Sequence, residues 1–124
     1  MKTTVGVWID HKKAVIVSMA HDAEEIHTIV SDMERHVRHS GEIPEDQQEH
    51  RFTNHLHEYY ANVISFLHDA DSILILGPGE AKGELKTRLE SKARGGRTAS
   101  TETVDKMTDR QIAAKVRQHY RELI

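Results

Sequence analysis

Cysteine is absent from the 124-residue chain. That excludes disulfides, thiolate nucleophiles, cysteine-bound zinc and iron–sulfur clusters together. Only 2 prolines and 7 glycines punctuate it, and neither clusters into a linker or a low-complexity tract. Long apolar runs are missing too. The fullest, Ile73-Leu74-Ile75-Leu76, falls far short of the roughly 20 residues that a membrane helix needs. Met1-Lys2-Thr3-Thr4-Val5 lacks the apolar core of a signal peptide. A cytoplasmic location is therefore expected, with no membrane partner. An excess of positive charge is also lacking: 17 Lys and Arg against 20 Asp and Glu leave −3. The chain as a whole is not an electrostatic nucleic-acid binder. What remains is a globular composition, 37% hydrophobic and 30% charged. A length of this order fills one domain and buries about two-thirds of the unfolded surface without a staple. A single domain over residues 1–124 is expected.

The distribution of charge says more than its sum. Residues 21–50 hold nine acids and two bases, whereas residues 77–97 hold six bases and three acids. Such asymmetry points to a polyanion contact or an oriented protein contact. Solvated faces that merely differ would give the same pattern.

Residues 3–9 alternate, with Val5, Val7 and Ile9 on one side and Gly6 and Trp8 on the other. That is a strand signal. Asp10-His11-Lys12 is a polar turn, and residues 13–19 are a second, β-branched strand. After the turn at residues 20–23, residues 24–30 read as a third, amphipathic strand. Short links make these three an antiparallel meander. Residues 31–51 show no period and read as a long acidic loop with local helix. Phe52, Leu56, Tyr59, Tyr60, Val63 and Leu67 then form a helical stripe. Ser72 to Leu76 reads as a strand buried on both faces. Gly77-Pro78-Gly79 breaks it, and Leu85 and Leu89 open a second helix that Gly95-Gly96 ends. Residues 98–104 are a weak fifth strand. Thr108-Asp109-Arg110-Gln111 is a capping box, followed by a helix with Ile112, Val116, Tyr120 and Leu123 on one side. The order β-β-β-α-β-α-β-α predicts an α/β fold with one five-stranded mixed sheet, order 3-2-1-4-5, and three main helices.

This order, together with Val5-Gly6-Val7-Trp8-Ile9-Asp10 and with Ile73-Leu74-Ile75-Leu76-Gly77-Pro78-Gly79 followed by Lys82 and Leu85, resembles the middle domain of archaeal and eukaryotic peptide-chain release factors and of Pelota. Asp105-Lys106-Met107-Thr108 is similar to a stretch in short bacterial relatives of that domain, which include a family named for host-cell attachment. The resemblance implies a ribonuclease-H-like topology of the kind grouped as translational machinery components. It also implies RNA or the ribosome as partner. Catalytic release factors carry Gly-Gly-Gln on the loop before the first long helix. The matching segment here, Arg38-His39-Ser40-Gly41-Glu42-Ile43-Pro44-Glu45-Asp46-Gln47-Gln48, lacks it and is acidic. Peptide release is excluded on that ground, and a non-catalytic module is expected.

The residues offer three candidate functions. The first is anion or RNA binding. The Gly77-Pro78-Gly79 turn opens a helix whose start presents free N–H groups, and Lys82, Lys86, Lys92, Arg94 and Arg97 follow. Glu80 and Glu84 oppose an anion there, and a tight turn that simply needs glycine explains the same residues. The second is metal-dependent hydrolysis. Ribonuclease-H-like nucleases converge several carboxylates on the central strands, and Asp10 with Glu58 are the plausible members here. Asp10 as a turn former is the plainer reading. His36 and His39, or His55 and His57, form no His-Glu-x-x-His motif, and no metal or other cofactor is expected. The third is a protein partner or a homodimer, through the sheet edge formed by the third or fifth strand. Trp8 is expected in the core. Tyr59 and Tyr60 are adjacent, so one of them is expected at the surface as a partner contact.

Overall fold

Branched and apolar residues dominate the first and fourth strands, and the fold puts both at the centre of its sheet. The computed structural model describes residues 4–20, 23–31, 45–67, 70–92 and 98–123. The strands are β1 (Thr4–Ile9), β2 (Lys13–Ala20), β3 (Ala23–Val30), β4 (Ser72–Gly77) and β5 (Thr98–Thr103). The helices are α1 (Glu45–Ser65), α2 (Ala81–Lys92) and α3 (Asp109–Leu123). The sheet order is β3-β2-β1-β4-β5, with β1–β2 and β2–β3 antiparallel and β1–β4 and β4–β5 parallel. This is the five-stranded mixed arrangement that the sequence predicts.

The alternation of β1 sorts its side chains into two cores. Val5, Val7 and Ile9 join Ile73 and Ile75 of β4 beneath α1 and α2, with Val63, Leu67, Leu85 and Leu89. Trp8 joins Leu74 and Leu76 beneath α3, with Ile112, Ala113 and Val116. Every residue of β1 and β4 is buried, because helices cover both faces of a strand in the middle of such a sheet. Trp8 lies in the core as expected, and its indole N–H donates to the Asp105 carbonyl at 3.2 Å. Helix α3 crosses β1 at Gly6. A Cβ there would stand 2.1 Å from Val116 Cγ2, so glycine is what lets the helix approach.

The capping box forms as written in the sequence. The Gln111 N–H donates to Thr108 Oγ1 at 3.2 Å, and the Thr108 N–H donates to Gln111 Oε1 at 2.9 Å.

Three expectations need correction. Helix α1 begins at Glu45, not at Phe52, so residues 45–51 are helix rather than loop. The apolar stripe could not signal that turn; Pro44 and the acids Glu45 and Asp46, favourable at a helix start, could. Residues 32–44 lie outside the described residues. Strand β3 is not amphipathic in place. Ala23 to Thr28 and Val30 are exposed and Ile29 alone is half-buried, so the helices leave most of this edge uncovered. Finally, Tyr59 and Tyr60 are both buried, at 3% and 0% exposure.

Candidate functional site

At its carboxyl end β1 turns back into antiparallel β2, whereas β4 leads into α2. Open α/β sheets bind ligands where neighbouring strands send the chain in different directions. Asp10 shapes the first exit. Its Oδ1 accepts the N–H groups of Lys12 at 2.8 Å and Lys13 at 2.7 Å, and its own N–H donates to the Lys13 carbonyl at 3.0 Å. That is an Asx-type turn. Gly77 shapes the second exit. A Cβ on it would lie 2.3 Å from the Ile9 carbonyl oxygen, while one on Gly79 meets nothing within 4 Å. The glycine requirement of the turn therefore rests on Gly77; Pro78 and Gly79 are exposed.

Between the exits lies a polar cluster that sequence reasoning missed. His11 Nε2–H donates to Glu84 Oε1 at 3.1 Å. The Tyr60 hydroxyl donates to Glu84 Oε2 at 3.2 Å, and the Tyr59 hydroxyl donates to the Asp10 carbonyl at 2.9 Å. The Arg88 guanidinium stacks 4.9 Å over the Tyr60 ring, and its Nη1 donates to His57 Nδ1 at 2.6 Å. Burial pushes both phenol pKa values well above the ordinary value of 10. The Asp10 charge adds to this at Tyr59, and the Glu84 carboxylate adds to it at Tyr60. Both hydroxyls are therefore fixed donors rather than bases or nucleophiles. Chemically, the cluster ties the first turn of α2 to the β1–β2 turn and to α1. The spacing of Glu84 and Arg88, one helical turn apart beside a tyrosine pair, was the available signal. Their convergence with His11 becomes visible only once β1 and β4 are neighbours.

The strand–turn–helix brings together five of the proposed anion-binding residues: Gly77, Pro78, Gly79, Lys82 and Lys86. The Lys82 ammonium donates to the Gly79 carbonyl at 2.6 Å, and Lys86 lies 3.8 Å from Glu90. Lys92 ends α2 with its side chain outside the described residues, as are Arg94 and Arg97. Of the alternative pair, Asp10 is engaged in its turn and Glu58 is exposed on α1. Among the described residues no group of three or more His, Asp or Glu is placed to hold a metal ion. His36 and His39 lie outside them. No helix among the described residues is long and apolar enough to cross a membrane.

No protein-family model matches the sequence, and no curated protein matches it. Solved structures do match in fold. The Pelota protein of Thermoplasma acidophilum is similar over 92% of this chain and 31% of its own, with 18% identity and a TM-score of 0.58. Pelota of Archaeoglobus fulgidus is similar over 94% of this chain and 31% of its own, with 15% identity and a TM-score of 0.61. An archaeal translation termination factor, aRF1, aligns over 98% of this chain and 39% of its own at 14% identity and a TM-score of 0.43. The chain thus spans about a third of the length of the Pelota proteins it matches.

Proposed function

We propose that this chain is a non-catalytic, translation-associated module that contacts RNA or the ribosome through the Gly77-Pro78-Gly79 turn and the outer side of α2. The observation that carries the reading is the fold likeness to Pelota, which runs through nearly the whole of this chain. The chemistry of the turn supports it. Lys82 and Lys86 have only exposed, internal partners, and such contacts are worth roughly 0–1 kcal/mol. A phosphate can replace them at little cost. Of the two acids at the helix start, Glu84 already accepts hydrogen bonds from His11 and Tyr60, which tempers its repulsion of a bound phosphate; Glu80 is exposed and still opposes one. The missing Gly-Gly-Gln favours binding over peptide release.

The test is ribosome pelleting at several salt concentrations. Lys82→Ala with Lys86→Ala is expected to weaken pelleting and to flatten its salt dependence by about one logarithmic unit per lost phosphate contact. Pelleting that is absent, or unchanged by the double substitution, removes this surface and the reading with it.

A further inference from the structure

The large apolar side chains left exposed among the described residues are Ile26, Val30 and Phe66. Two lie on β3, and the third stacks its ring 5.2 Å from that of His27 on the same strand. β3 is an edge strand of eight residues with β2 on one side. Apolar exposure is thus concentrated on the element whose backbone is also open on one side, and such an edge is a template for a further strand.

The ladder shows which backbone groups are open. The Ser31 N–H donates to the Lys12 carbonyl at 2.8 Å, extending the β2–β3 register. In an antiparallel ladder the bonded residues alternate. Glu25, His27 and Ile29 therefore turn their backbone groups to β2, and Glu24, Ile26, Thr28 and Val30 turn theirs outward. The side chains divide likewise. Ile29 packs toward the α1 core, with Glu25 and His27 on the same face, while Glu24 reaches Arg117 of α3.

We propose that β3 is the contact strand of a symmetric homodimer, paired antiparallel with the β3 of a second copy so that Ile26 faces the partner's Ile26 across the two-fold axis. A two-fold axis centred between two residues would set open groups against closed ones, so the axis passes through a residue. Centred on Glu25, it sets carboxylate against carboxylate. Centred on His27, it sets imidazole against imidazole and Glu24 against the partner's Val30. Centred on Thr28, it engages only residues 26–30. Centred on Ile26, it engages residues 23–29 and sets Glu25 opposite the partner's His27 twice over. Those pairs fall at the non-hydrogen-bonded positions, where opposed side chains are closer. Within one copy His27 already stands 3.8 Å from Glu25, so the pairing completes a row in which carboxylates and imidazoles alternate. Two five-stranded sheets would become one continuous sheet.

This inference does not rest on the translation reading. A monomer that pellets with ribosomes removes the dimer alone, and a dimer that does not pellet removes only the other. The absence of cysteine makes the test clean. Ile26→Cys places a lone thiol about 5.5 Å, Cα to Cα, from its mate, within disulfide range. Mild oxidation is expected to convert Ile26→Cys to a covalent dimer, and to leave Thr28→Cys and the β5 control Thr101→Cys monomeric. By sedimentation, the unsubstituted protein is expected to rise from 14.2 kDa toward twice that mass with concentration. Ile26→Pro, which removes an outward N–H and spares the β2 ladder, is expected to weaken association at least about tenfold. A mass fixed at 14.2 kDa, or Thr28→Cys crosslinking as fast as Ile26→Cys, overturns the proposal.

Discussion

The carboxyl ends of β1 and β4 and the outer edge of β3 belong to one sheet, yet they treat their polar groups in opposite ways. At the β1–β4 junction nearly every polar group described has an internal partner. His11, Glu84, Tyr60, Arg88 and His57 form a chain of contacts, and Asp10 closes its own turn. Along β3 the backbone of alternate residues and the side chains of Ile26 and Val30 face outward. That contrast bears on where a partner would bind. A ligand at the junction must compete with bonds the fold already makes, which is why the proposed contacts are placed on the outer side of α2 and on the open edge of β3 instead.

The largest test of this contrast is Gly77→Ala. The new methyl would meet backbone, the Ile9 carbonyl oxygen at 2.3 Å, and backbone cannot swing aside. Urea unfolding is expected to show a loss of about 3 kcal/mol. Gly6→Ala, which meets the Val116 side chain instead, is expected to cost less and to be relieved by Val116→Ala. If Gly77→Ala is neutral, the junction is looser than the distances say.

Alkaline pH comes next. Each phenol is held neutral in the fold and ionises near 10 when unfolded. Above that pH the unfolded chain binds fewer protons, so stability is full below pH 10 and falls as pH rises past it. The slope is about 1.4 kcal/mol per pH unit for each tyrosine. Tyr60→Phe should reduce that slope by its share. A substituted protein as alkali-sensitive as the parent would place Tyr60 outside the cluster.

Two neighbouring residues also mark how far the sequence could be read. The β1 alternation, the Ile73–Leu76 run and the Thr108 box are local signals, and each became the expected element. Residues 45–51 carry helix-start chemistry without an apolar stripe, so the helix was legible only from Phe52 onward. Tyr59 and Tyr60 point about 100° apart on α1, which suggested one surface ring. Both are buried because Tyr59 reaches the β1 exit while Tyr60 lies under Arg88 of α2. That arrangement needs contacts between residues far apart in sequence, as does the His11–Glu84 pair. The candidate site was thus legible in its turn, Gly77 to Gly79, and hidden in its polar cluster.

At neutral pH, Tyr60→Phe is expected to cost about 1 kcal/mol, the net worth of one hydroxyl donor. The smallest effect belongs to the other region. Ile26→Thr, on an exposed side chain that keeps β propensity, is expected to leave unfolding of the dilute protein within about 0.5 kcal/mol of the parent. A larger loss would mean that Ile26 packs within its own chain.

The contrast is read most directly by amide hydrogen exchange at low and high protein concentration. Protection is expected to rise with concentration at Ile26 and Thr28. Glu25 and His27 should already be protected by β2, and the amides of Gly77 and Glu84 should not change. Identical exchange at both concentrations, or a change confined to Gly77 and Glu84, would contradict the picture of a closed junction and an open edge.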